Sequence, residues 1–137
     1  MKFFFDNNLS AHHAHAMREL SMADPRVETV EHLSDRFARN ADDLVWIPGL
    51  TRSGPWAVVS ADKFKKQGGA EREALRAAGH MVFLLEPQWF KQSYWLQAEL
   101  LVRWWPQIIN QASIASGGGF IVPWHHSSKS KFRVVKV

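Results

Sequence analysis

Phe3-Phe4-Phe5-Asp6-Asn7-Asn8-Leu9 is the stretch on which the fold turns, because an apolar run of aromatic residues gives way abruptly to an acid and two amides. A short buried strand of this kind ends on a carboxylate. In open sheets built from alternating strands and helices, ligands bind just beyond the carboxyl ends of the strands, where successive crossovers leave to opposite faces. Asp6 would stand at such an end. The competing local explanation is that Asp6 and Asn8 cap the following helix, since both residue types accept hydrogen bonds from the free N–H groups of a first helical turn. From this stretch alone capping is the commoner explanation, and the rest of the chain has to decide.

Outward from that strand the chain alternates between strand and helix. Leu9 to Leu20 suits a helix, and Asp24-Pro25 breaks it. Val27 to Leu33 alternates as a second, less buried strand, and the polar, basic run Ser34 to Asn40 is expected to be a loop. Asn40-Ala41-Asp42-Asp43 opens a helix through Leu50, with acids in its favourable first turn, and Pro48-Gly49 closes it. Pro55 to Ser60 is the next buried strand, followed closely by Asp62. A basic loop with Lys63, Lys65, Lys66 and Gly68-Gly69 leads to a helix from Ala70 to Ala78 that Gly79 stops. His80 to Leu85 gives a fourth strand. Gln88 to Trp105 is a long aromatic helix that Pro106 should kink or restart, Phe120 to Val122 a possible fifth strand, and His125 to Val137 a basic tail. Helical segments of this length between strands imply right-handed crossovers and helices on both faces. The expected fold class is therefore α/β: a three-layer α/β/α domain over residues 1–124, with a mainly parallel, doubly wound sheet of about four to five strands, and a tail over 125–137.

Composition narrows the chemistry. A chain of 137 residues, 46% hydrophobic, fits one domain with a sizeable core. The absence of cysteine removes disulfides, thiolate metal ligands and a cysteine nucleophile together. No apolar run approaches a signal peptide or a membrane span, so a soluble, cytoplasmic protein is expected. The formal charge of +4 makes polyanions plausible partners.

The carboxylates carry the functional signal. Asp6 and Asp62 end adjacent strands on this reading, and Asp43 opens the helix between them. Carboxylates brought to one rim repel each other unless a cation sits among them. With no cysteine and no convincing histidine set, all-oxygen ligation points to Mg²⁺ or Mn²⁺ rather than zinc. Such ions clamp phosphate oxygens and lower the pKa of bound water, which is what phosphodiester hydrolysis requires. Arg36, Arg39, Lys63, Lys65 and Lys66 would surround the same rim and hold a nucleic-acid backbone.

Three segments together resemble a known family. Asp6-Asn7-Asn8-Leu9 after an apolar strand, Asp43 followed by Trp46-Ile47, and Val58-Val59-Ser60-Ala61-Asp62 look like the three motifs of PIN-like domains, in particular the compact VapC-type, toxin-associated branch. Glu71-Arg72-Glu73-Ala74-Leu75 and Val82-Phe83-Leu84-Leu85 follow in matching order, so the resemblance spans roughly Met1 to Val122. It implies a metal-dependent ribonuclease of a toxin–antitoxin pair, with Asp6, Asp43 and Asp62 on the metal and an antitoxin protein as partner. Ser60 would hold the small hydroxyl position that orients a water or a carboxylate. Two departures stand out. Asn7 occupies a position where related domains often carry Glu, and no fourth acid is secure; Asp42 and Asp35 are the candidates to approach the site, with Asn8 beside it.

Other features have plainer explanations. His12 and His15 lie three apart on a helix but lack a third ligand, and His125 and His126 lie in the tail. Trp89, Trp95, Trp104 and Trp105 are expected to be mostly core, with the remainder open to a homodimer, to the antitoxin or to stacked bases. The tail, with Lys129, Lys131, Arg133 and Lys136, is solvated, adds phosphate contacts, or pairs through its Arg-Val-Val-Lys-Val end. Two rival functions remain: a non-catalytic RNA-binding or regulatory module with an incomplete acidic site, and a phosphoacceptor receiver domain. The receiver is disfavoured, because Asn7 and Asn8 stand where paired acids would be expected.

Overall fold

Three consecutive phenylalanines make the central strand, and alternation sends them to different layers. In the computed structural model, which describes residues 1–65 and 67–137, Phe3 and Phe5 face one side of the sheet and Phe4 the other, all fully buried. Each contributes about 2–3 kcal/mol of hydrophobic stabilisation. This strand, β1 (Lys2–Phe5), leads to α1 (Ala11–Ser21) and to β2 (Thr29–His32), which pairs parallel with it. A one-turn helix α2 (Leu33–Arg36) and α3 (Asp43–Gly49) follow, and the chain then returns on the far side of β1 as β3 (Ala57–Ser60). Next come α4 (Ala70–Ala78), β4 (Met81–Leu85), α5 (Tyr94–Ile114), β5 (Gly118–Val122) and β6 (Arg133–Val135).

The strand order is β2-β1-β3-β4-β5-β6, parallel throughout except for the antiparallel edge strand β6. Phe3, Phe5 and Val59 pack with Met17 of α1 and Leu101 and Trp105 of α5. Phe4 and Val58 pack on the other face with Trp46 and Ile47 of α3 and Leu75 of α4. The result is a three-layer α/β/α fold, and the topological switch point lies between β1 and β3.

Four expectations are corrected. The sheet has six strands rather than four or five, because Arg133–Val135, read as tail, hydrogen-bonds to the open edge of β5. Residues expected to form a loop after β2 instead make α2, closed by a capping box in which Asp35 accepts from the His32 N–H and the His32 ring accepts from the Ser34 N–H. The long aromatic helix starts later, at the Ser93 N-cap, after a separate 3₁₀ turn over Pro87–Lys91. Pro106 does not interrupt it. Pro106 and Val102, whose carbonyl loses its donor, both lie on the solvent side, so the freed carbonyl is not left on the buried face.

Gly119 is what lets the last strand close. A Cβ there would collide with the Val137 side chain and stand 2.9 Å from the Val135 carbonyl oxygen. Gly119→Ala is expected to cost about 1–3 kcal/mol by overpacking and to free the segment after Ser130. Earlier proteolytic cleavage in that segment, with the remainder of the domain intact, checks it.

Candidate metal centre

The site forms where the switch point demands it. Asp6 follows β1 directly, and its N–H still donates to the Val59 carbonyl (3.0 Å), so the last ladder bond fixes where its side chain leaves the sheet. The carboxylate is only 5% exposed. One oxygen accepts from the Asn7 N–H (2.7 Å) and the other from the Ser60 hydroxyl (2.8 Å). The Ser60 Oγ in turn accepts from the Asp62 N–H (2.9 Å), so one hydroxyl at the end of β3 joins two of the acids.

Asp62 and Asp43 are each held by a hydrogen bond from a buried aromatic residue. Asp62 Oδ1 accepts from the Phe64 N–H (2.8 Å), bending the chain into a left-handed turn at Phe64, with φ of 53°. Such a conformation is costly for a bulky residue and persists because Phe64 is completely buried, edge-on to Trp46 at 6.1 Å. On α3, Asp42 serves as N-cap by accepting from the Leu44 N–H (2.9 Å), which leaves Asp43 in the first turn facing the sheet. Asp43 Oδ1 accepts from Trp46 Nε1 (2.8 Å), and Trp46 stacks on Phe4 (4.9 Å).

One carboxylate oxygen from each of Asp6, Asp43 and Asp62 lies within 4.8 Å of the others. Burial, aided by the negative charge of Asp43 and Asp62, pushes the Asp6 carboxyl up to about 6, against the pull of the Ser60 and Asn7 hydrogen bonds. A cation among the three would remove that penalty. The donors are all hard oxygens, which fits a divalent ion of the Mg²⁺ or Mn²⁺ kind.

The remaining sequence-derived candidates divide. Asn8 belongs to the same rim, accepting from the Ala61 N–H (3.3 Å), and Arg39 is tethered there by its carbonyl, which accepts from the Asn7 amide (2.7 Å). Lys63 and Lys65 are exposed on the loop after Asp62. Asp42 is the helix cap and is not in the acidic trio. Asp35 is drawn elsewhere, accepting from His32 N and His15 Nε2 (3.0 Å); against its partial burial, these bonds hold its carboxyl below the usual range. Arg36 is also diverted, paired with Glu31 (3.0 Å) and lying 4.9 Å over the Trp56 ring. Lys66 lies outside the described residues. No histidine joins the acids among the described residues: His15 binds Asp35, and His13 stacks on Tyr94 (4.4 Å).

The family model described as a PIN like domain matches residues 1–87, a span that holds all three acids. The chain belongs to the PIN-like domain family. PIN-like domains are generally nucleases, and the acidic trio at the switch point is where such chemistry would reside. No curated protein and no solved structure matches the chain. The matched span ends just after β4, so α5, β5 and β6 lie beyond it. Among the described residues, no helix is long and apolar enough to cross a membrane.

Trp46 and Phe64 were not singled out from the sequence as site residues. Trp46 had a signal: an indole donor three residues after a first-turn acid reaches back along the helix face. Trp46→Phe is expected to cost about 2 kcal/mol, from the lost indole bond and the smaller ring at a fully buried position, and to weaken Mn²⁺ binding about tenfold by freeing Asp43. Isothermal titration with Mn²⁺ checks the second part.

Proposed function

We propose that this chain is a Mg²⁺- or Mn²⁺-dependent endoribonuclease and the toxin of a type II toxin–antitoxin pair, working in the cytoplasm. The observation that carries the nuclease reading is the convergence of Asp6, Asp43 and Asp62, one of them buried, at the switch point of a PIN-like sheet. When bound, the ion would polarise a phosphoryl oxygen and supply a water acidic enough to attack phosphorus. The three aspartates hold it, Ser60 keeps the Asp6 carboxylate turned toward it, and Arg39, Lys63 and Lys65 attract the RNA backbone. The toxin role rests on the likeness of the three motifs to the VapC-type branch. Trp95, 79% exposed beside Tyr94, supports a protein contact on α5, either the antitoxin or a second copy of the chain.

The test combines chelation with one substitution. With Mn²⁺ the wild-type chain is expected to cleave RNA and arrest growth, whereas EDTA or Asp62→Asn removes both without unfolding the protein. Equal cleavage by wild type and variant in metal-free buffer overturns the proposal. A second reading, a non-catalytic RNA-binding module, draws on the Asn7 amide being used on Arg39 and on the absence of a fourth acid in the cluster among the described residues. RNA binding in EDTA with no cleavage at any metal concentration would select it.

A further inference from the structure

Beside the acids, across the carboxyl ends of β3, β4 and β5, lies a cleft of about 450 Å³, of whose lining the proposed chemistry uses only Lys63 and Lys65. Its described walls carry Lys63, Lys65, Arg72, Arg133 and Lys136 against the single acid Glu86, an excess as large as the formal +4 of the whole chain. The basicity is therefore concentrated in one place. Lys63, Lys65 and Lys136 have no ion pair among the described residues, and Arg133 reaches Glu86 only at 3.6 Å while 65% exposed. The floor is apolar, formed by Leu84, Ile121 and Val135. A simple anion has no use for such a floor, whereas a nucleotide presents a phosphate to the cations and a base or ribose to the aliphatic surface.

Arg72 makes the cleft one unit with the acidic site. Its Nε and Nη2 donate to the Lys63 carbonyl (3.1 and 2.9 Å), one residue beyond Asp62, and its Nη1 donates to the Lys136 carbonyl (3.0 Å). Neutral carbonyls fix the guanidinium without cancelling its charge. The wall opposite the acids comes from residues 133–136, well outside the span matched by the family.

We propose that this cleft is a binding subsite for an unpaired nucleic-acid strand, seating nucleotides to one side of the phosphodiester held at the acids, with the C-terminal segment as its outer wall. This rests on the nuclease reading for its direction but not for its measurement. A concave pocket of this size accepts one or two unpaired nucleotides, while a rigid duplex would ride over its rim.

The test uses the full chain and a short fluorescein-labelled oligouridylate in EDTA, with anisotropy read over a range of salt. The double variant Arg133→Ala/Lys136→Ala is expected to bind roughly tenfold more weakly, with a slope of log affinity against log salt smaller by about 1.4. Since both changes fall on or beside an edge strand, Lys65→Ala is measured alongside, with an expected loss of slope of about 0.7. Unchanged affinity and slope in both proteins would sink the proposal, as would equally tight binding of the same sequence as a duplex. EDTA separates this outcome from the fate of the nuclease reading, because binding is scored there without cleavage, and cleavage is scored separately with Mn²⁺.

Discussion

Asp6→Asn is expected to abolish RNA cleavage while making the metal-free protein more stable. The two effects share one cause. Asp6 is buried and faces two other carboxylates, so its charge is costly to hold at neutral pH, and its carboxyl is pushed from 3.8 up to about 6. Roughly two pKa units correspond to ~3 kcal/mol of unfavourable free energy in the ionised, metal-free state. Asn removes the charge at nearly the same volume. It does not recover the whole amount: Asp6 accepts from both the Asn7 N–H and the Ser60 hydroxyl, and an amide nitrogen cannot accept. The Ser60 hydroxyl can rotate to accept, leaving a net gain of about 1–2 kcal/mol, or several degrees in Tm. Loss of one ligand charge removes several kcal/mol of transition-state stabilisation, roughly a thousandfold in rate. Thermal melting in EDTA and a cleavage assay with Mn²⁺ read the two halves. A variant that is inactive and also less stable would mean that Asp6 mainly braces the loop.

That conflict between stability and charge explains why the acidic site was legible in the sequence. The abrupt change from three phenylalanines to an acid marked the end of β1, β3 repeats the arrangement with Ser60 and Asp62, and the cap of α1 falls to Ser10 rather than to Asp6 or Asn8. The helix over Ala70–Ala78 was bounded by its own Gly79. What escaped was decided by tertiary partners. Arg36 looks like a phosphate contact until Glu31 and the Trp56 ring take it, and Asp35 looks like a fourth acid until His15 and the His32 N–H take it. Arg133–Val135 is too short and too exposed to announce a strand; it becomes one because β5 presents an unpaired edge and Gly119 leaves room above it. Pro106 was misleading for the opposite reason, since local chemistry allowed a restart that its place on the outer face of α5 made unnecessary.

Divalent metal is expected to reverse the pH dependence of stability that Asp6 creates. Without metal, the unfolded chain releases the Asp6 proton near 3.8 and the folded chain near 6. Between those values the folded state binds more protons than the unfolded state, so stability falls as pH rises from about 4 to about 6, by ~3 kcal/mol in total from this group, and is flat above. His13 and His80 act in the other direction. Burial lowers both, so the unfolded chain protonates first on acidification and stability is lost as pH falls below about 6.5. The difference between wild type and Asp6→Asn cancels the histidines and isolates the carboxylate. With saturating Mn²⁺ the folded Asp6 is held ionised, its pKa drops below that of the unfolded chain, and the same difference should change sign. At a hundredfold excess over Kd, the ion adds about 2.7 kcal/mol to the wild type and much less to the variant. Melting curves of both proteins from about pH 4 to about pH 7, with EDTA and with Mn²⁺, measure all four arms. If the wild-type curve is indifferent to Mn²⁺ across that range, the trio is not a metal centre, whatever RNA the protein binds.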